Sequence, residues 1–217
     1  MGAARARGWW LASVGLGLVL DAAACQAAPD FAGEKVSEDV RFAAGWVLQG
    51  FDNLGQPFAI VDKRAARIYV FDSVGHLRGA SAVLLGLTAG DHSIPDSERR
   101  SPAFLGTDER TTPAGRFASE PGHNDKGEAI VWVDYSASFA IHRLRAAPLG
   151  ERRAARLASP ATDDKRISEG CVVVPIAFYE TVISRSLGSQ RGVVYVLPET
   201  RPVRTMFGAY EVSLRSP

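Results

Sequence analysis

Ser168-Glu169-Gly170-Cys171-Val172-Val173-Val174-Pro175 is the stretch on which the fold turns. Three successive β-branched valines between a glycine turn and a proline read as a short strand. Cys171 sits where the loop becomes that strand. Upstream, Phe139-Ala140-Ile141-His142 is a second apolar run, and it ends on a histidine. A polar tip at the end of a buried strand is where a sheet presents a reactive group.

A free thiol has a pKa of about 8.5, so only a few per cent is thiolate at neutral pH. A neighbouring base corrects that, and histidine is the usual one. Gly170 lets backbone approach a ligand closely, and adjacent N–H groups at such a turn can hold a developing oxyanion. Of the four histidines, His76 lies in a turn signal and His92 and His123 in loop-like sequence, which leaves His142 as the candidate base. Each residue alone has a plainer reading: Cys171 as a buried inert thiol, His142 as a rim histidine satisfied by backbone. A zinc site drawing on Cys171, His142 and another histidine is a third reading. The absence of Cys-x-x-Cys and of helically spaced histidines weighs against it.

Strand signals continue outward. Phe58-Ala59-Ile60-Val61 and Ile68-Tyr69-Val70-Phe71 flank a hairpin turn at Lys63-Arg64-Ala65-Ala66. Ser73-Val74-Gly75-His76 is a second turn, leading to Ala82-Val83-Leu84-Leu85. Residues 88–128, rich in Gly, Pro, Asp and Ser, predict long loops. Ala129 to Val133 and Val193 to Leu197 predict further strands. One helix is predicted from Pro175, with Ile176, Tyr179, Val182, Ile183 and Leu187 on one face and Gly188 ending it. An earlier helix is predicted after Ser37 as cap, with Glu38 and Asp39 in its first turn and Val40, Ala43, Ala44 and Val47 on one face. The expected class is mostly β.

The N-terminus carries Arg5 and Arg7, an apolar run from Trp9 to Leu20, then alanines 22–24, 27 and 28. That order predicts an export signal over residues 1–28, with a lipoprotein signal acylated at Cys25 as one variant and a retained membrane anchor as another. The run is shorter than the ~20 residues that span a bilayer. Residues 29–56 follow as a helical lead-in and loop, and 57–217 as one domain. Cys25 and Cys171 are the only cysteines, so export would leave a single unpaired thiol. The formal charge of +1 gives no overall field for a nucleic-acid partner.

Three segments taken together resemble the catalytic domain of the L,D-transpeptidases of the YkuD type. They are Phe58 to Phe71 with Leu84-Leu85-Gly86-Leu87-Thr88-Ala89-Gly90-Asp91, then Thr111-Thr112-Pro113-Ala114-Gly115-Arg116-Phe117, then Ile141-His142 followed by Ser168-Glu169-Gly170-Cys171-Val172. The resemblance covers roughly residues 57–198. It implies a β-sandwich catalytic domain with one packed helix and long loops. It implies exported chemistry in the periplasm or cell envelope, on peptidoglycan tetrapeptide stems, with no cofactor and no metal. Cys171 would attack the carbonyl of the diaminopimelate residue, D-alanine would leave, and an amine would resolve the acyl-enzyme. His142 would be the base, oriented by the backbone carbonyl of Arg143. Gly170 and Cys171 would offer oxyanion N–H groups and Ser168 would brace the turn. Carbapenem-type inhibitors would be ligands, and membrane contact would come only through the signal or a lipid anchor.

The chain departs from the family pattern at Glu169, where histidine is common, and at Val173, where asparagine or arginine is common. It also has a longer path from His142 to Cys171. That path carries Arg145, Arg152, Arg153, Arg156, Lys165 and Arg166. It reads either as a solvated surface loop or as a lid whose arginines, Arg166 first and Arg145 beside it, hold substrate carboxylates. A carboxylate near a thiol opposes thiolate formation, so Glu169 is expected to point away, paired with an arginine of the insertion. Hydrolysis by the same machinery and a non-catalytic wall-binding module are the competing functions.

Overall fold

The computed structural model describes residues 28–93 and 105–207. All of the export-signal reading except residue 28 lies outside them. The chain is mostly β. Its strands are β1 (Phe58–Asp62), β2 (Arg67–Phe71), β3 (Leu77–Ala82), β4 (Leu85–Gly86), β5 (Gly115–His123), β6 (Ala129–Asp134), β7 (Phe139–Arg143), β8 (Arg166–Ser168), β9 (Val172–Val174) and β10 (Gly192–Val196). Eight form one sheet in the order β3-β2-β1-β10-β5-β6-β7-β9, and β4 pairs in parallel with β8 beside it.

The central pair, β1 and β10, runs parallel and is buried at all five positions of each strand. Unbroken apolar runs of this kind require cover on both faces. On one face, Ala59 and Val61 of β1 and Ile68 and Val70 of β2 share a core with Val131 of β6, Ile141 of β7 and Val172 of β9. Strands from opposite ends of the sheet order therefore meet, so the sheet curls over its own interior as a sandwich does. On the other face, Phe58, Ile60, Tyr69, Phe71 and Tyr195 pack against helix α1 (Glu38–Gln49) through Val40, Ala43, Ala44 and Val47. Each fully buried Val, Ile or Phe side chain among them contributes roughly 1.5–3 kcal/mol. Ser37 caps α1: its Oγ accepts from Val40 N at 3.2 Å and donates to Asp62 at the end of β1 at 2.7 Å.

Three sequence expectations need correction. Residues 88–128 are not all loop, because β5 occupies Gly115–His123. The predicted Ala82–Leu85 strand is two elements, the end of β3 and the start of β4. The helix after Pro175 is α-helical only over Ile176–Phe178 (α3 here, with α2 being Arg153–Ala158) and then widens into a π-helical turn, Tyr179–Ile183. Ser184 N bonds back to Tyr179 O at 2.8 Å. The wider turn changes which side chains face inward, so Tyr179, Ile183 and Leu187 are buried while Ile176 is 49% exposed. Both predicted helical segments pack on the sheet.

Candidate active site

Parallel pairing of β7 with β9 sets Ile141 against Val172 and His142 against Val173. Ile141 and Val172 face the core. Side chains alternate along a strand, so His142 and Cys171 belong to the opposite face, where both line one cleft of about 330 Å³. That volume lies at the small end of the range for ligand pockets. Trp132, Ser138, Arg145, Glu169 and Gly170 are also in its wall.

His142 is 8% exposed. Its Nδ1–H donates to the Arg143 carbonyl at 2.8 Å, because a carbonyl can only accept. This fixes the tautomer and leaves Nε2 with its lone pair. Burial lowers the imidazole pKa to about 4, against the opposing Arg143 bond, and Arg145 and Arg153 add to the fall. His142 is therefore neutral at pH 7, the form a base must have.

Cys171 borders the cleft, and its sulfur donates to the Ser138 carbonyl at 3.5 Å rather than to the imidazole. Burial pushes the thiol pKa up. The Ala140 N–H directed at the sulfur, and Arg145, draw it back, while Glu169 adds to the rise. The resting pair is thus thiol and neutral imidazole.

The turn before Cys171 is fixed by polar contacts. Ser168 Oγ donates to the Cys171 carbonyl at 2.7 Å and accepts from Gly170 N at 3.2 Å. That second bond corrects the sequence expectation: the Gly170 N–H is occupied, which leaves the Cys171 N–H as the oxyanion candidate. Gly170 has φ +133°, and a Cβ there would lie 2.8 Å from the Thr111 carbonyl oxygen. Only glycine fits without displacing that backbone. Thr112, fully buried, completes the brace. Its Oγ1 donates to the Gly170 carbonyl and accepts from Gly86 N, both at 2.8 Å.

The substrate-contact expectations divide. Arg145 lines the cleft, ion-paired with Glu128 at 2.7 Å. Glu169 does not turn away to an arginine; it is exposed in the cleft wall, with no ion pair among the described residues. Arg166 is not in the cleft. Its guanidinium is held by Glu199 and donates to the Lys63 carbonyl at 3.2 Å. The insertion forms a 3-10 turn, α2 and a second 3-10 turn, with buried Lys165 donating to carbonyls at the end of α2. Ser138, Ala140 and Thr112 were not singled out from sequence.

Nor was Lys63, read as part of a turn. Its ammonium has no exposure and donates to Gly90 O at 2.5 Å, Asp91 Oδ1 at 2.8 Å and Thr112 O at 2.8 Å. Although burial alone would raise the Asp91 carboxyl, Lys63 and the Thr200 and Glu199 donors hold it well below the usual carboxylate range. Lys63 thus grips the Thr112 segment that grips the Cys171 turn. Among the described residues no group of three or more His, Cys, Asp or Glu could hold a metal ion.

No protein-family model and no curated protein matches the chain. Among solved structures, a cysteine-to-serine mutant of Enterococcus faecium L,D-transpeptidase is similar at 14% identity and a TM-score of 0.37, over 65% of this chain and 50% of that one. The chain thus spans about half the length of that protein, and a likeness so slight sets neither the fold nor the chemistry of this chain.

Proposed function

We propose that the protein is a cysteine-dependent L,D-transpeptidase acting on peptidoglycan tetrapeptide stems. The observation that carries this reading is the shared cleft: a neutral, tautomer-fixed His142 on β7 and Cys171, the residue just before the adjacent parallel β9, in one wall. The motif order from Thr111-Thr112-Pro113 through His142 to Ser168-Glu169-Gly170-Cys171 supports it.

In this reading the donor stem enters the cleft and His142 Nε2 takes the Cys171 proton. The sulfur adds to the carbonyl of the diaminopimelate residue, and the oxyanion develops toward the Cys171 N–H. Collapse breaks the amide bond. The proton on His142 passes to the departing D-alanine nitrogen, leaving a thioester. An acceptor amine then attacks, giving up its proton to His142, and the thiol is restored as the new amide forms. Arg145, released from Glu128, is the group in the cleft suited to a stem carboxylate.

A second reading, a non-catalytic wall-binding module, draws on two features: the sulfur bonded to Ser138 and the Glu169 carboxylate beside it. Chromatography of products from disaccharide-tetrapeptide separates the cases. Crosslinked dimers support transfer. Trimmed monomers with no dimers assign a hydrolase instead. Unchanged donor from folded protein refutes both enzymatic readings.

A further inference from the structure

Far along the chain from the cleft residues, two loops present large apolar side chains to solvent. Phe51 and Leu54 are each 63% exposed and Val74 is 53% exposed. Phe51 and Leu54 both have positive φ, +51° and +53°, which bulky residues rarely adopt. The loops are tied together by Asn53, 1% exposed, whose Nδ2 donates to Gln56 O at 2.7 Å and across to Ser73 O at 2.9 Å. The apolar tips are thus held outward by a buried polar lock instead of folding onto the core.

Arg78 and Arg185 line a hollow with Gly55 and Ser73, and neither has an ion-pair partner among the described residues. Asp72, in the same hollow, spends its carboxylate on Val74 N, His76 N and the His76 ring. Apolar tips flanked by unpaired arginines match the interface of a bilayer with anionic headgroups.

The chain path leads to the same place. Asp30 N donates to Gly75 O at 3.0 Å, and Leu77 N donates to Asp30 O at 2.8 Å. The apolar run Trp9–Leu20 therefore joins the folded body at the turn that carries Val74. The ten Cα–Cα steps from Leu20 to Asp30 can span at most about 35 Å. Any membrane hold on that run keeps this face near the bilayer.

We infer that the Phe51–Leu54 loop and the Ser73–His76 turn form a lipid-docking surface for an anionic bilayer. Phe51, Leu54 and Val74 enter the interface, and Arg78 and Arg185 meet the phosphates. The test uses the full chain carrying Leu16→Asp and Leu18→Asp, so that the apolar run does not itself hold the protein to lipid. Sedimentation is compared with phosphatidylcholine vesicles and with phosphatidylcholine–phosphatidylglycerol vesicles. Binding to the anionic vesicles is expected. It should weaken by at least about tenfold in Phe51→Ser/Leu54→Ser and in Arg78→Glu/Arg185→Glu, each with an unchanged circular dichroism spectrum. The inference is overturned by no binding to anionic vesicles, or by binding that both pairs leave intact. It is equally overturned if the protein dimerises through this face, with Phe51→Ser/Leu54→Ser abolishing the dimer and lipid having no effect.

Discussion

Replacing Thr112 with valine removes one hydroxyl and almost no volume. That hydroxyl holds the Gly86 N–H and the Gly170 carbonyl at 2.8 Å each, with no solvent access. The valine leaves a buried donor and a buried acceptor without partners, each at about 1–3 kcal/mol. The combined loss should be about 2–6 kcal/mol, a large part of the 5–15 kcal/mol that stabilises a typical domain. Because the Gly170 carbonyl belongs to the peptide unit preceding Cys171, the turn should loosen as well. Urea unfolding monitored by circular dichroism gives the first number, and the alkylation rate of Cys171 by iodoacetamide in native buffer gives the second. Thr112→Ser keeps the hydroxyl and should recover most of the stability. A valine variant within about 0.5 kcal/mol of wild type, with an unaltered alkylation rate, would refute the bracing role.

Gly170→Ala forces a Cβ to within 2.8 Å of the Thr111 oxygen at φ +133°, so a loss of about 1–3 kcal/mol and a fall in donor turnover are expected from thermal melts and product assays. His142 binds its proton less well folded, at about 4, than unfolded, at about 6.5. The unfolded state therefore takes up more protons between those values. Stability should fall as pH drops through that window, by about 3 kcal/mol in total, and His142→Gln should flatten that slope in urea titrations. Glu169→Gln removes a charge that raises the Cys171 pKa, so the pH midpoint of thiol alkylation should move down. Lys63→Met leaves Asp91 and Glu199 without their buried cation and should cost about 3–5 kcal/mol in urea unfolding. Arg166→Ala should lower the melting temperature while leaving KM for the donor unchanged, because its guanidinium is spent on Glu199 and Lys63.

The strands that could be read from sequence are those whose environment is uniform. β1, β2, β9 and β10 are rich in Val, Ile, Phe and Tyr because nearly every position in them is buried. β5 was hidden for the opposite reason. Its inward positions include Gly115 and Ser119, it carries Pro121 and Gly122, and Gly122 is there to let the Trp132 indole lie across it. β3 has small residues because Phe178 and Val182 rest on Gly79. Cys171 and His142 stood out as chemistry-bearing groups at strand ends, and neighbouring strands bring them to one cleft. Lys63 read as a turn residue and Arg166 as a substrate contact, because their partners Asp91, Thr112 and Glu199 lie 28, 49 and 33 residues away and no local pattern announces them. The occupied Gly170 N–H depends on a hydroxyl rotor two residues back, which spacing alone does not reveal.

Intact-protein mass spectrometry after brief incubation with disaccharide-tetrapeptide addresses the sulfur directly. The proposed chemistry predicts an adduct of donor mass less D-alanine, present on the wild type and missing from Cys171→Ala. Folded wild type that never gains that mass, or a Cys171→Ala variant that still does, would contradict it.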